Sequence, residues 1–445
     1  MSYLVGVILA LVIGAGTTWA GYLAFLLVTD RIAPASAVIT PPMTSRTSAV
    51  AVVVMLTLGP VAQAAADPDG AGETSLDLRY RYEYVDDDAA TFAAQASTVR
   101  AALGYQTRSF HGLRAVGQLA AVGTLGPDFY RVPMSPTQDN MAYPTVPDPA
   151  GVMVDQAHVR FDASWLTLKL GRQELAFNDT RFVGPGPWRQ VRQTFDAASV
   201  VVRPVDGVSV QYALTGRVNR MTGRDARDGQ QLLLGHLVNA RYERRGRGSL
   251  AVYDLHLDYL MDSTSSTNTV GARVEGPLQL DADWSLLYAA ELARQTDAGT
   301  NPNPFAAGYY LAEAGAAFRG FSARVQYNVR EGDGALDKLS TPLSHAWDGW
   351  SEKFEITPDA GLRTMSVSLA GPVPRVRGLS VSAAYHEYWS QSTKAHYGRE
   401  QDLGVEYRLG RVDPRWTAGS RVSFYDADQL HADTLRMSVY TAYGF

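Results

Sequence analysis

The sequence predicts an all-β protein, a transmembrane antiparallel β-barrel of eighteen strands with long extracellular loops and short periplasmic turns. Three observations predict this fold. Side chains after Asp67 alternate between apolar and polar with a period of two, the connections between candidate strands are alternately short and long, and the chain ends on an apolar strand at Phe445. Beyond residue 66 no apolar run is long enough for a membrane-spanning helix.

The N-terminal residues have the pattern of targeting sequence. Residues 1–29 carry no charged side chain and are long enough to span a membrane. A second apolar run, at 49–58, follows a short basic start and precedes a Gly-Pro pair and small residues suited to cleavage, as in a secretory signal. We therefore interpret 43–66 as a signal peptide, 1–42 as a non-native N-terminal extension and 67–445 as the barrel. An inner-membrane anchor formed by residues 1–29 is the alternative.

The composition excludes several classes of protein. The chain has no cysteine, which excludes a disulfide framework, thiolate metal sites and thiol catalysis. Its formal net charge of −5 argues against nucleic acid as a partner, because phosphate contacts need a basic surface.

We expect no cofactor. The expected partners are outer-membrane lipid and lipopolysaccharide, the barrel assembly machinery and a solute, and the oligomeric state stays open.

The alternation is clearest from Leu76 to Tyr84, where even positions are apolar or aromatic and odd positions are charged. Such a strand has one face on an apolar medium and the other in water. In a soluble sandwich a second sheet would cover the apolar face, whereas in an outer-membrane barrel that face meets lipid. The candidate strands lie at about 74–85, 96–108, 112–123, 154–162, 165–173, 194–203, 208–220, 232–243, 249–260, 267–276, 284–294, 308–319, 321–331, 362–370, 378–389, 400–409, 415–426 and 434–445.

The number and spacing of these strands favour a closed barrel. Eighteen is even, as single-chain bacterial barrels require, and sixteen is the alternative because pattern-based boundaries are uncertain by ~2–4 residues. Tight turns such as 163–164 alternate with long segments at 124–153, 174–193, 295–307 and 332–361. If the N-terminus is periplasmic, every long segment falls on the extracellular side. A soluble sandwich has no reason to keep that order.

The last strand carries a terminal signal. Its apolar face includes Tyr443 and ends on Phe445. An apolar final strand with a terminal aromatic resembles the signal by which outer-membrane barrels are recognised for assembly, so we predict that role for these two residues. A buried edge strand is the alternative.

The strand parity also predicts which charges face the lumen. Cations modestly outnumber acids there, although the whole chain is acidic. Such a bias raises the local concentration of anions in a narrow channel. The alternative is that lumen charges pair across strands and stiffen the wall. The candidate pore-lining cations on strands are Arg79, Arg81, Arg100, Lys169, Arg217, Arg324, Arg330, Arg408 and Arg421, and the inward acids include Glu83, Asp155, Asp254, Asp258, Glu291 and Asp402.

Two of the long segments have compositions suited to narrowing a pore. Segment 174–193 combines Pro and Gly with Arg181, Arg189 and Arg192, and folding into the barrel mouth would bring these charges near a solute. Segment 332–361 carries aromatic and charged side chains suited to sugar contacts: His345, Trp347, Trp350, Glu352 and Lys353. A simple surface loop is the alternative for both.

Residues that could indicate an enzyme are few. His386 shares a strand face with Ser380 and Ser382, and a hydrolase would need this histidine hydrogen-bonded to a serine and a carboxylate. His256 lies between two acids on one face, but neighbours on one strand face are ~6.6 Å apart, too far for compact metal coordination. We therefore predict no catalytic residue and no metal site.

Three sequence blocks resemble one family. Residues 168–175, 192–196 and 343–354 look like the alginate export family of outer-membrane porins. The resemblance implies an 18-stranded barrel whose arginine-rich constriction passes an anionic polyuronate outward. It also implies that the constriction uses the residues at the motif positions, Lys169, Arg172, Glu174, Asp179, Arg181 and Asp196. The many acids beside the arginines depart from that pattern.

Together these observations predict a passive channel in the outer membrane of a Gram-negative bacterium. The channel would move an anionic sugar polymer, an oligosaccharide or small anions through an arginine-rich lumen. A general or nutrient-uptake porin with little selectivity is the alternative within the class. An outer-membrane barrel hydrolase is the alternative from another class.

Overall fold

The computed structural model describes residues 72–445 except 333, 335–338, 340–347, 411, 412 and 414. The predicted extension (1–42) and signal peptide (43–66) lie outside the described residues. The described chain forms eighteen strands and one short 3₁₀ helix, Ser263–Ser265. The strands are β1 (Gly72–Asp87), β2 (Ala94–Thr107), β3 (Leu113–Phe129), β4 (Gly151–Asp162), β5 (Leu166–Gln173), β6 (Thr194–Val202), β7 (Val208–Asn219), β8 (Gln230–Arg244), β9 (Gly248–Tyr259), β10 (Thr267–Gln279), β11 (Trp284–Asp297), β12 (Ala306–Phe318), β13 (Phe321–Arg330), β14 (Leu362–Pro372), β15 (Leu379–Trp389), β16 (His396–Arg408), β17 (Trp416–Ala427) and β18 (Thr434–Gly444).

The strands form one closed antiparallel sheet. Each strand pairs with its neighbours in the chain, and β1 pairs with both β2 and β18. The seam between β1 and β18 ends in two backbone hydrogen bonds. Phe445 N–H donates to the Leu76 carbonyl at 3.0 Å, and Leu76 N–H donates to the Phe445 carbonyl at 3.1 Å. Closure leaves no sheet edge with unpaired backbone groups. The predicted eighteen-stranded barrel is confirmed.

The outer face of the barrel is largely apolar. Leu170, Leu292 and Leu369 are each more than half exposed, and other apolar side chains on outward positions follow the same pattern. A continuous apolar exterior is expected of a barrel in lipid and far exceeds what a soluble monomer exposes. Exposed aromatics such as Trp165 and Trp284 stand beside the short turns, where an interfacial aromatic girdle belongs. Among the residues described, no helix is sufficiently long and apolar to span a membrane.

The connections alternate in length, as predicted. The longest are 130–150, 174–193 and 331–361, and all follow odd-numbered strands, so they share one end of the barrel, here called the loop end. The opposite end, the turn end, carries short connections such as 163–165 and 245–247. An eighteen-stranded barrel is too wide for wall side chains alone to fill. Its largest buried cluster therefore joins wall residues such as Tyr309 with residues of segment 174–193 such as Phe182.

Three predicted pore-lining residues lie on the outer face instead. Arg172 shares the parity of the exposed Leu170, and Arg172 and Asp196 are paired across β5 and β6. Since Lys169 points inward, a residue three positions later must point outward, because strand side chains alternate. Arg217 is paired with Asp196, since a β-bulge between Thr215 and Arg217 shifts the parity of β7. The prediction that these three residues line the lumen was wrong.

The same correction applies to Asp254 and Asp258 on β9. Their strand neighbours Tyr253, Leu255 and Leu257 are buried in the lumen cluster, so the two acids point outward. In a water-filled barrel the polar face of a strand normally points into the lumen. Here segment 174–193 covers the inner wall and makes that face apolar, which reverses the usual assignment.

Candidate functional site

Segment 174–193, between β5 and β6, crosses the lumen. Left-handed backbone at Asn178 (φ 51°), Thr180 (φ 65°) and Gly186 (φ 59°) turns the chain sharply. On one side Phe182 packs edge-on against Tyr309 of β12, with ring centroids 5.5 Å apart. The predicted inward folding of this segment is therefore what the structure shows.

The other end of the segment reaches the opposite part of the wall. Gln190 Nε2 donates to Thr98 Oγ1 on β2 at 3.0 Å, and its Oε1 accepts from Arg79 Nε on β1 at 2.9 Å. Trp188 stands edge-on to Tyr440 of β18, at 5.4 Å between centroids. Segment 174–193 thus spans from β12 to β1, and any solute must pass beside it.

The described part of segment 331–361, between β13 and β14, also folds into the barrel. Ser351 N–H donates to a Glu400 carboxylate oxygen at 2.7 Å and Trp350 N–H donates to Asp402 at 3.2 Å, both on β16. Phe354 stacks on Tyr388 of β15, with centroids 4.3 Å apart. His345 and Trp347, proposed for sugar contacts, lie outside the described residues. Trp350, Glu352 and Lys353 all take part in the contacts that this segment makes inside the barrel.

Buried ion pairs join the two inward segments. Asp348 lies 3.3 Å from Arg181 Nη1 of the first segment and 2.6 Å from Arg330 Nη2 of β13. Burial by itself would raise the pKa of Asp348, but Arg330 and Arg181 outweigh it and lower that pKa to about 2. Glu352 pairs in the same way with Arg189 of the first segment. The two segments therefore form one ion-paired constriction.

A stacked arginine adds a third link. The Arg421 guanidinium of β17 lies 4.0 Å from the ring centroid of Trp188 and 4.8 Å from that of Trp350. Each tryptophan comes from a different inward segment, and a guanidinium between two indole faces is a favourable cation–π arrangement. Arg421 therefore contacts the constriction, where the parity of β17 predicted it.

The lumen arginines divide into two groups by their partners. Arg81 pairs with Glu83 and Asp148, and Arg100 pairs with Asp77 and Asp155. Like Arg330, these arginines are almost fully buried. Their charge is compensated, so they stiffen the wall, as the pairing alternative held.

The second group, Arg79 and Arg192, forms no ion pair with a described acid. Arg79 donates to the Gln190 amide oxygen at 2.9 Å and to the Pro187 carbonyl at 2.8 Å, both neutral acceptors. Arg192 makes no ion pair within the described part of the chain. Arg79, Arg100, Arg189 and Arg192 are close enough for their charges to interact. Arg79 and Arg192 therefore lie close together where segment 174–193 meets β1, whereas Arg100 and Arg189 are paired with acids and Glu174 and Asp155 lie near Arg192.

The remaining predicted residues are spread through the barrel. Glu174 lies near Arg192 and Asp155, Lys169 points inward near Arg160 and Glu174, and Asp179 lies 3.0 Å from Arg273 Nη1 in an ion pair. Arg324 faces inward beside Glu313, and Arg408 is exposed at the turn end. Glu174 and Asp179 thus belong to segment 174–193 itself, whereas Arg324 and Arg408 make their ion pairs with wall residues away from it.

Sequence reasoning missed several partners of the constriction. Asp348, Asp148 and Glu400 bind its loops, yet none was singled out. A signal existed only for Asp348, which stands inside the block 343–354 that resembles the alginate export family.

His386 takes part in a serine–histidine–acid arrangement, although with a serine other than the predicted ones. Ser366 Oγ lies 2.7 Å from His386 Nδ1, and His386 Nε2 lies 3.3 Å from Asp402 Oδ2. In a catalytic triad Nε2 faces the serine and Nδ1 the acid, so the order is reversed here. The nearby amide of Trp350 donates to Asp402, so it is not available to stabilise an oxyanion. The arrangement mainly anchors segment 331–361.

Comparisons with known proteins agree with this geometry. The model of a family described as alginate export matches residues 73–332. Among solved structures, Pseudomonas aeruginosa OccK9 (OpdG) has 16% identity and a TM-score of 0.66, covering 85% of this chain and 98% of its own. Acinetobacter baumannii OccAB2 has 16% identity and a TM-score of 0.66, covering 84% and 98%. P. aeruginosa OpdK, solved with vanillate, has 15% identity and a TM-score of 0.62, covering 84% and 98%. No curated protein matches the sequence. At identities this low, the likeness shows that this chain and the solved structures share a fold, and nothing further.

Proposed function

The chain belongs to the alginate export family, and from that premise we propose that this outer-membrane, porin-like channel passes anionic solutes by diffusion. The observation that carries the proposal is the presence of two arginines at the constriction, Arg79 and Arg192, neither of which forms an ion pair with a described acid. A cluster of fixed positive charge in a narrow passage attracts anions and repels cations. Covalent chemistry has no part in this mechanism.

The narrowing of the lumen bears on the class of solute. Segments 174–193 and 331–361 both occupy the interior and are tied together by buried ion pairs. A passage beside them favours a thin, extended anion, such as a polyuronate chain or oligosaccharide, or a small carboxylate. The carboxylate vanillate, bound in OpdK, is consistent with the second class. The direction of transport follows the concentration gradient.

Ion selectivity in a planar bilayer tests the proposal. At about 8 Å in a water-like dielectric each arginine attracts a monovalent anion by about 0.5 kcal/mol, so two contribute about 1 kcal/mol, or about fivefold in local concentration. The same charges repel potassium by a similar amount, so Arg79→Gln with Arg192→Gln should lower the chloride-to-potassium permeability ratio by about 25-fold, measured from the reversal potential in a KCl gradient. Arg408→Gln, at the exposed turn end, removes the same kind of charge and should leave the ratio unchanged. A cation-selective wild type would contradict the proposal.

Solute flux separates this proposal from a general porin. Liposome swelling should be faster with uronate oligosaccharides than with neutral oligosaccharides of the same length. Equal rates, together with a selectivity near one, would favour the general or nutrient-uptake porin.

A second candidate function, a barrel hydrolase, is favoured by one observation, the contacts of His386 with Ser366 and Asp402. An activity-based fluorophosphonate probe would label Ser366 if that serine were an activated nucleophile. We expect the probe not to label Ser366, so wild type and Ser366→Ala should give the same labelling. The imidazole is oriented in reverse, and the nearby amides already donate hydrogen bonds to carboxylates.

A further inference from the structure

The outer wall of β7, β8 and β9 carries a row of polar rings. Tyr212 Oη lies 2.9 Å from His236 Nδ1, and the His236 and His256 rings are 6.3 Å apart. His236 is paired with Leu214, whose exposed side chain faces the same outer surface. Three polar rings in succession therefore interrupt an otherwise apolar wall.

Charges of both signs lie beside this row. Asp254 of β9 is paired with Val270 of β10, which is paired with Arg294 of β11. Val270 is 53% exposed on the outer face, so Asp254 and Arg294 point outward with it. Within the described residues neither charge makes a hydrogen bond or an ion pair.

The position of these charges along the strand places them within the membrane. Asp254 is six residues beyond Gly248, the first residue of β9 at the turn end. At about 3.3 Å per residue and a tilt of about 40°, that is about 15 Å along the barrel axis, whereas the apolar band of such barrels is about 25 Å tall. Asp254 therefore lies near mid-depth, where outward charges are costly in lipid.

The nearby Arg172–Asp196 pair continues the polar surface towards β5. Arg172 Nε lies 2.7 Å from Asp196 Oδ1, and Arg217 Nη1 lies 3.7 Å from Oδ2 of the same acid. Each charge of this cluster has a partner of opposite sign, unlike Asp254 and Arg294. The unsatisfied part of the surface is therefore centred on β9–β11.

We propose that the outer face of β7–β11 binds a second copy of this chain within the membrane. The face carries an unpaired acid and an unpaired base about two strands apart, so it is complementary to itself. A two-fold axis along the membrane normal would bring Asp254 of one copy towards Arg294 of the other, and the reverse. Soluble proteins and polysaccharides do not reach that depth, and lipid tails offer no partner for either charge.

The absence of cysteine from the chain makes cross-linking a direct test. The first variant is Val270→Cys, since position 270 lies between Asp254 and Arg294. The matched control is Val439→Cys of β18, on the opposite wall, where Val439 is 40% exposed. After mild oxidation of intact outer membranes, Val270→Cys should give a species of twice the monomer mass, and Val439→Cys should not. Heat-modified mobility in gels establishes that both barrels are folded.

Charge reversal tests the pairing itself. Asp254→Arg in the Val270→Cys background should abolish the cross-link, and adding Arg294→Asp should restore it. The proposal is overturned if folded Val270→Cys protein stays monomeric, if it cross-links only to a protein of another mass, or if the double reversal fails to restore the dimer. A monomer that retains lipopolysaccharide in native mass spectrometry would assign the face to lipid. These outcomes do not depend on which solute the pore passes.

Discussion

Replacing Asp348 by Asn should release the constriction. Asp348 is 3% exposed and lies within 3.3 Å of Arg181 and 2.6 Å of Arg330, both almost fully buried. The substitution keeps the side-chain size but leaves two buried guanidinium groups without their carboxylate. Loss of one partner from a buried charge cluster costs about 3–5 kcal/mol. At 1.4 kcal/mol per factor of ten, even the lower figure raises the ratio of undocked to docked loop about 100-fold.

Single-channel recording and hydrogen exchange would measure that release. We expect Asp348→Asn to show larger and noisier currents and faster amide exchange in residues 348–361. Asp283→Asn is the matched control, since the Asp283–Arg319 pair is exposed at the turn end, where a surface ion pair contributes little. If Asp348→Asn gave the same current, noise and exchange as the control, the ion-paired constriction would not be what narrows the pore.

Four other outcomes follow from the same contacts. Because the pKa of Asp348 is lowered to about 2, its contribution is complete above the unfolded value near 3.9 and is lost as the pH falls towards 2, so the difference in current noise between wild type and Asp348→Asn should stay constant from pH 8 to 4 and shrink only below about 3. Arg421→Met, which removes the stacking between Trp188 and Trp350, should loosen the constriction by about 1–2 kcal/mol, less than Asp348→Asn, in the same recordings. Gly349→Ala should also increase noise, since Gly349 has φ +89° and an added Cβ would clash with the Glu400 carboxylate. Phe445→Ala should lower the amount of heat-modifiable barrel in outer membranes while leaving the conductance of the remaining channels unchanged, and a normal amount would remove Phe445 from assembly.

The strands could be predicted because the membrane imposes a pattern on every one of them. In the stretch from Leu76 to Tyr84 each outward side chain must suit lipid, so the alternation is visible in the sequence alone. The boundaries differ mainly where strands extend beyond the apolar band. β16, for example, begins at His396 and β3 ends at Phe129, because the lipid no longer selects side chains there.

The constriction could be predicted only in part. Its arginines stand out in segment 174–193, but their partners are distant in the chain, as the pairing of Arg181 with Asp348 shows. No periodicity carries such contacts. For Arg172 the motif position suggested the lumen, whereas the strand period required the outside. For Asp254 polarity suggested the lumen, although an inward loop had made that face apolar.

The arginines of the lumen therefore have two physical roles that the sequence cannot separate. An arginine surrounded by acids, such as Arg81 or Arg100, adds rigidity but little net field, because the acid cancels its charge within a few ångströms. An arginine bound to amide and carbonyl oxygens, such as Arg79, is held in place without being neutralised. Selectivity should then depend on the second kind alone, and the bore on the first. Substitutions in the two groups are expected to separate conductance from ion preference, which a lumen uniformly lined with arginine would not allow.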